Sequence, residues 1–371
     1  MRVGAALRRT VTVPTVTLLD LLVLATAPLT LAVAALVCLP ARSSLPLRTV
    51  ALFVAYAAIE LSVLPRLVSA EEQNWNVLLH DVLDRGYRAL RTVLDVTVVE
   101  QDGSVPPAGL RGEGGVIVLA RHCGPGDSLF IAWLLAVHHR MRLRVVLTAL
   151  LRLEPSVDLA GDHLPLCFIG PRRARSRACV EDVAGSMTAG DALLLFPEGQ
   201  NFSRARRLRA LTALRDSGAA KRLKNLRRNT YTLPPRLGGT FAALSAAPGA
   251  DVVLLAHSGF TDDGRDRPLW RLPTHRTFLV HTVRVAAADI PRHDHAALSA
   301  WLDDAWTGVD EWIASTVAAN RRRAGPDTTS AAGVRSTPLE DRRAAPVSAQ
   351  RRGRYRHGSS GGSSGSTARP Y

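Results

Sequence analysis

Two residues of complementary chemistry, His122 and Asp127, stand five apart in Gly115-Val-Ile-Val-Leu-Ala-Arg-His-Cys-Gly-Pro-Gly-Asp-Ser-Leu-Phe-Ile-Ala-Trp. On a regular helix that spacing turns the side chains about 140° from one another, so they would not share a face. The intervening Gly124-Pro125-Gly126 forbids a regular helix and can fold the chain so that imidazole and carboxylate meet. A carboxylate bonded to one ring nitrogen fixes the tautomer and makes the other nitrogen a better base. A plainer structure is also open, in which Asp127 caps a helix starting at Ser128 and His122 merely ends a strand. A second segment, Ala192-Leu-Leu-Leu-Phe-Pro-Glu-Gly-Gln-Asn-Phe-Ser, is an apolar run ending at Pro197. It presents Glu198 and Gly199 at its carboxyl end, where α/β sheets place ligands. Alone, Pro-Glu-Gly is a turn.

Together and in this order the two segments resemble the glycerolipid acyltransferase family, which includes the 1-acylglycerol-3-phosphate acyltransferases. That family's His-x4-Asp and Phe-Pro-Glu-Gly motifs are complete at His122–Asp127 and Phe196–Gly199. Cys167-Phe-Ile-Gly-Pro-Arg-Arg is similar, more loosely, to an intervening block ending in an arginine, which Arg172 or Arg173 could supply. Leu233-Pro-Pro-Arg-Leu-Gly-Gly is similar to a Leu-x-Pro-Arg-x-x-Gly segment of the lysophospholipid branch and places Arg236. The likeness covers roughly residues 95–260, besides a hydrophobic N-terminus.

The resemblance implies that His122 takes the proton from an acceptor hydroxyl as that oxygen attacks an acyl thioester, with Asp127 orienting the imidazole. The thioester, acyl-CoA or acyl carrier protein, is a co-substrate, and no cofactor or metal is expected. The implied acceptor is lysophosphatidic acid or a related lysophospholipid, bound by Pro197, Glu198, Gly199 and the arginines Arg172, Arg173, Arg204 and Arg236. The family usually follows Phe-Pro-Glu-Gly with Thr-Arg, and its arginine is implied to hold the acceptor's phosphate. Here Gln200-Asn201 stands instead, leaving Arg204 first and Arg172, Arg173 or Arg236 next, or another acceptor. Glycerol 3-phosphate, a glycolipid, and a non-catalytic basic membrane-binding protein are the alternatives. Cys123 is poorly placed as a nucleophile, because adjacent residues rarely point their side chains at each other. His293-Asp294-His295 reads as a solvated loop rather than a metal site.

The elements that must position these residues alternate between β-rich runs and helical patterns. Strand candidates are Gly115–Ala120, Leu143–Thr148, Leu166–Ile169, Ala192–Phe196, Val252–Ala256 and Thr277–Val285. Helices are expected over 71–92, where Trp75, Leu78, Leu79, Val82 and Leu90 make a stripe, and over 296–317. In the latter, Leu298, Trp301, Leu302, Ala305, Val309, Trp312 and Ile313 form the apolar face, and Asp303, Asp304, Asp310 and Glu311 are expected away from it. The fold class is therefore α/β, a layered sheet flanked by helices.

Ahead of this domain, taken as 67–320, lies a membrane-anchoring segment, 1–66. Leu21–Leu39 is uncharged and near the roughly 20 residues that span a bilayer. A second run, Thr49–Ile59, meets Glu60 and reads as too short and too acidic to span with assurance. A weak bias of Arg2, Arg8 and Arg9 favours a cytoplasmic N-terminus, with the catalytic domain facing the cytoplasm. Residues 321–371 are rich in Arg, Ser and Gly, and that composition predicts disorder.

Across 371 residues, 47 Lys and Arg oppose 32 acids, a net +15 that points to anionic partners. Membrane phospholipid and a phosphate-bearing carrier fit this balance. Residues 204–228, with ten basic residues against Asp216, are the expected contact. Nucleic acid is disfavoured, since few aromatics accompany the charge and no binding motif occurs. The four cysteines form no CxxC pair and read as reduced thiols.

Overall fold

The structure, a computed structural model, describes residues 2–69, 74–124, 126–260 and 273–324. The helices and strands, in chain order, are α1 (Arg2–Ala41), α2 (Leu45–Val68), α3 (Trp75–Leu94), β1 (Val96–Glu100), β2 (Val116–Ala120), α4 (Asp127–Trp133), β3 (Arg142–Thr148), α5 (Pro155–Ala160), β4 (Leu166–Ile169) and α6 (Arg173–Gly185). They continue with β5 (Asp191–Leu195), α7 (Arg204–Asp216), α8 (Ala220–Leu226), α9 (Leu237–Ala246), β6 (Asp251–Ser258), β7 (Arg276–Val285) and α10 (His295–Ala324).

The seven strands form one sheet in the order β1-β7-β6-β2-β5-β3-β4. From β6 to β4 all neighbours are parallel, whereas β7 runs antiparallel to β6 and parallel to β1. Central strands covered on both faces must be apolar throughout. Accordingly β2 and β5 are buried along their whole length. In β2, Val116, Val118 and Ala120 face a core shared with α3 and α4, and Ile117 and Leu119 face one shared with α6, α9 and α10. The expected strands are all present, and β1 is one that the sequence reading did not anticipate.

Several expectations change. The acid in the second apolar run does not break it. Residues 45–68 are one 24-residue helix, and Glu60 is buried, accepting the Ser156 N–H at 3.0 Å. On α10, Asp303 and Asp310 are buried rather than solvated. Asp303 pairs with Arg222 at 2.6 Å, and Asp310 accepts the N–H groups of Thr230 and Tyr231 at 2.9 and 2.7 Å. Asp294 caps α10 through the N–H groups of Ala296 and Ala297. That helix runs on to Ala324, past the change in composition, and the remainder of the C-terminal tail lies outside the described residues. The cysteines are not all free: Cys167 on β4 and Cys179 on α6 form a disulfide, with Cα atoms 5.7 Å apart. The chain doubles back from strand to helix, so a twelve-residue separation becomes a contact that spacing alone does not reveal.

α1 is 40 residues long, and it and α2 are both apolar and long enough to cross a membrane by length and composition. Leu7, Leu18, Leu22, Leu29 and Leu36 of α1 are each more than half exposed. Arg8 and Arg9, however, are engaged with the domain: both reach Asp158 at the start of α5, at 2.7 and 2.9 Å.

Alkylation in denaturant without reductant should label only Cys38 and Cys123, the two cysteines outside the disulfide, and reduction should expose the other two. Mass spectrometry showing four labelled thiols before reduction contradicts the β4–α6 link.

Candidate active site

β2 and β5 are neighbours, so the segments leaving their carboxyl ends emerge side by side at the middle of the sheet. Beyond β2 the chain turns sharply into α4. Gly126 adopts φ +94°, a conformation that a side chain disfavours, and Pro125 lies outside the described residues. The turn carries Asp127 back beneath the strand end. His122 Nδ1 lies 3.0 Å from Asp127 Oδ2 and 3.1 Å from Oδ1.

Asp127 is fully buried, and its carboxylate is saturated with donors. Oδ2 accepts the N–H groups of Cys123 at 2.6 Å and Gly124 at 3.2 Å; Oδ1 accepts Ser128 N–H at 2.7 Å and its hydroxyl at 3.3 Å. Burial by itself would push this carboxyl up. The hydrogen bond and charge of His122, the charge of His257 and the Cys123 N–H outweigh that and hold it below the usual carboxylate range. Asp127 thus serves the first turn of α4 and also holds the imidazole. The histidine keeps 23% of its side chain exposed, its ring tilted against Phe196 at 4.5 Å. With Nδ1 taken by the carboxylate, Nε2 has no partner among the described residues and is the atom that can take a proton from a bound molecule.

Glu198, from the end of β5, is also buried but does different work. Its Oε1 accepts the His122 N–H at 3.4 Å and its Oε2 the Leu233 N–H at 3.0 Å. Burial pushes its carboxyl up to about 8, against the Arg121 charge and those two N–H groups, while the Asp127 charge adds to the rise. Phe202 N–H donates to the His122 carbonyl at 2.7 Å, so both sides of His122's backbone are tied to the segment after β5.

The expected substrate-binding residues divide into two groups. Pro197, Glu198, Gly199 and Arg236 come together: Arg236 N–H donates to the Pro197 carbonyl at 2.8 Å. Its guanidinium lies so close over Gly199, which has φ +66°, that a Cβ there would meet Arg236 Cδ at 2.9 Å. Arg204 opens α7, just after Ser203 caps that helix, and is exposed. Arg172 and Arg173 follow β4 at the sheet edge, two strands out from β5 and so about 10 Å away across the sheet. They share the carboxyl-end rim, but the topology does not bring them to His122. Asn201 is turned inward, with Oδ1 buried and unbonded. The basic 204–228 segment is partly committed internally: Arg222 pairs with Asp303, and Arg207 donates to the Arg227 carbonyl at 2.7 Å. Sequence reasoning missed Arg121 and His257, both buried beside the pair. A histidine directly after the apolar run 252–256 was the available signal for His257.

Among the described residues, two sets of metal-capable donors come within 4.8 Å of one another: Cys123, Asp127 and His257, and Glu100, His138 and His139. The donor chemistry of the first does not suit a cation, because both Asp127 oxygens already accept N–H groups. In the second, His139 Nε2 and Glu100 Oε1 are directly bonded at 2.9 Å.

Residues 96–257 match the Acyltransferase family model, a span that runs from the first residue of β1 to His257. The chain is similar to the crystal structure of the 1-acyl-sn-glycerophosphate (LPA) acyltransferase PlsC from Thermotoga maritima, with 18% identity and a TM-score of 0.49. The match covers 72% of this chain and 95% of that one. No curated protein matches the sequence.

The raised Glu198 carboxyl has a stability signature. In the unfolded chain it ionises near 4.5, whereas the folded protein holds the proton to about 8. Below 4.5 both states are protonated and the group is neutral toward folding. Between the two values only the unfolded chain ionises, so stability falls as pH rises, by up to about 1.4 kcal/mol per pH unit. Glu198→Gln should flatten this slope in denaturant unfolding between about pH 5 and 8. An unchanged slope in the variant means that Glu198 does not hold its proton across that window.

Proposed function

Because the chain belongs to the acyltransferase family, with the family domain at residues 96–257, we propose that it moves a fatty acyl group from acyl-CoA or acyl carrier protein to the free hydroxyl of lysophosphatidic acid or a related lysophospholipid. The observation that carries this reading is the geometry of one pair: a buried, multiply bonded Asp127 holding Nδ1 of a His122 whose side chain keeps 23% exposure and whose Nε2 has no partner among the described residues. Nε2 accepts the acceptor's hydroxyl proton as the oxygen attacks the thioester carbonyl. The C–S bond then breaks, and the leaving thiolate takes the proton back from the imidazolium. Asp127 stays ionised throughout and keeps Nδ1 protonated. An acyl-enzyme on Cys123 is disfavoured, since its thiol is buried and faces His257 rather than His122.

For the acceptor's phosphate, Arg236 over Gly199 is the best-supported partner, with the exposed Arg204 second and Arg172 and Arg173 more remote. A guanidinium binds phosphate bidentately, which the inward-turned Asn201 cannot do. The enzyme acts at a membrane, held by α1 and α2, with its catalytic domain on the cytoplasmic side. The exposed leucines of α1 support the attachment.

His122→Ala should lower turnover by about 10²–10⁴-fold without unfolding the protein, and Asp127→Ala should also abolish transfer, with circular dichroism reporting whether that buried site still folds. Wild-type turnover in a folded His122→Ala protein rules out the general base. Steady-state kinetics of Arg236→Ala, Arg204→Ala, Arg172→Ala and Arg173→Ala decide the phosphate contact. Loss of a charge-assisted bond of about 1.5–3 kcal/mol should raise the KM for lysophosphatidic acid roughly tenfold or more. A lysolipid without the monoester should be spared. A wild-type preference for that second lipid replaces the lysophosphatidate assignment with another acceptor. For the attachment, deletion of residues 1–66 should release the protein from sedimented membranes, and retention would move it to the basic 204–228 surface.

A further inference from the structure

The ladder between β2 and β6 continues past the ends of the strands. Arg121 N–H donates to the Leu255 carbonyl at 3.2 Å, and beyond that point side chains take over. Arg121 Nη1 donates to the His257 carbonyl at 3.0 Å, and His257 Nε2 lies 2.9 Å from the Arg121 carbonyl. Each residue's side chain therefore holds the other's backbone, and both side chains are buried. A carbonyl only accepts, so His257 carries its proton on Nε2, and Nδ1 faces the Cys123 thiol at 3.8 Å. The same Nε2 is 3.8 Å from Asp127 Oδ2, and the ring is stacked on Phe278 at 4.6 Å. Arg121 reaches further, donating from Nε to the Tyr231 carbonyl at 3.1 Å.

We propose that Arg121 and His257 form a reciprocal clasp that positions the His122–Asp127 pair, with His257 a positioning residue for acyl transfer; this rests on the general-base reading above. The clasp fixes the carbonyl immediately before His122. Two residues on, Cys123 gives Asp127 its shortest hydrogen bond, 2.6 Å. A tilt of the peptide at Arg121 therefore moves the imidazole and a principal donor of its carboxylate together, and displacements of about 1 Å at a reacting centre can cost about 10²-fold in rate. The charged and titratable groups that face His257 are Arg121 and Cys123 from the end of β2 and Asp127 from α4. Glu198 follows one step out, through the His122 N–H.

The test compares His257→Leu, His257→Gln and His257→Asn in the full chain. Gln sets an amide N–H where Nε2–H lies, whereas Asn sets one near Nδ1, facing away from the Arg121 carbonyl. Leu and Asn should lose about tenfold or more in kcat, with little change in the acyl-donor KM. Their acid limb in kcat/KM should move to lower pH, because the His122 imidazolium loses support from Asp127. Gln should stay within about threefold of wild type with an unshifted limb. If Leu does not fold, the Gln–Asn contrast decides. Gln and Asn behaving alike, or folded Leu with the wild-type rate and limb, overturns the clasp. Wild-type protein inactive on every acyl donor and lysolipid would instead refute the acyl-transfer reading, while an inactive His122→Ala beside an unaffected His257→Leu refutes the clasp alone.

Discussion

A carboxylate with no solvent contact must be met by donors on every side or it will take up a proton, and the architecture around Asp127 follows from that requirement. Its oxygens accept three backbone N–H groups, one hydroxyl and an imidazole nitrogen. Supplying them demands that residues 123 and 124 curl over the carboxylate while residue 128 begins a helix beneath it. The left-handed Gly126 makes that reversal possible within four residues. The strand before it must be rigid for the curl to be reproducible, and β2 is buried along its whole length between two parallel neighbours. Asp127 is the first residue of α4 and Gly126 its cap, so the carboxylate that holds His122 Nδ1 accepts the Ser128 N–H from within the helix and does not cap it.

The second buried carboxyl shows how environment separates two chemically similar groups at adjacent strand ends. Asp127 has donors enough to remain charged, whereas Glu198 has two N–H partners and a desolvation cost that they do not offset. Keeping one carboxyl neutral also spares the site two like charges at close range. In its neutral form Glu198 still links three segments distant in sequence, at residues 122, 198 and 233. That link draws Arg236 onto Gly199.

What could be read from the sequence follows the range of the interaction. The central strands announce themselves as apolar runs, and His122 and Asp127 are close enough for the glycine-flanked turn to suggest their meeting. Glu198 was placed correctly at a strand end, but its state depends on Leu233 N–H and Arg121, contacts that no local pattern encodes. The same holds for His257, 134 residues from its Cys123 neighbour. Asp303 and Asp310 mislead a periodicity argument for a related reason. They flank the apolar stripe of α10 and are buried only because Arg222 and the 230–232 backbone close over them. β1, five residues with Thr97 and Glu100 interrupting its valines, gives too short and mixed a pattern to stand out.

The apolar helices bear on the site through polar contacts at their margins. Arg48, near the start of α2, donates to the Val93 carbonyl at 2.5 Å and contacts His275 at 3.2 Å, beside the beginning of β7. Near the other end, Glu60 holds Ser156 at the start of α5, and Arg8 and Arg9 of α1 close on Asp158 of the same helix. Because β7 runs antiparallel to β6, its beginning lies toward the rim at which β6, β2 and β5 end. The Arg48 contacts therefore fall on the side of the sheet where His122 emerges. A directional polar contact at each margin, an arginine on a carbonyl at one and a buried carboxylate and ion pairs at the other, resists sliding in a way that apolar packing, which lacks direction, does not. The apolar helices are thus held in a fixed relation to the end of the sheet from which His122 emerges.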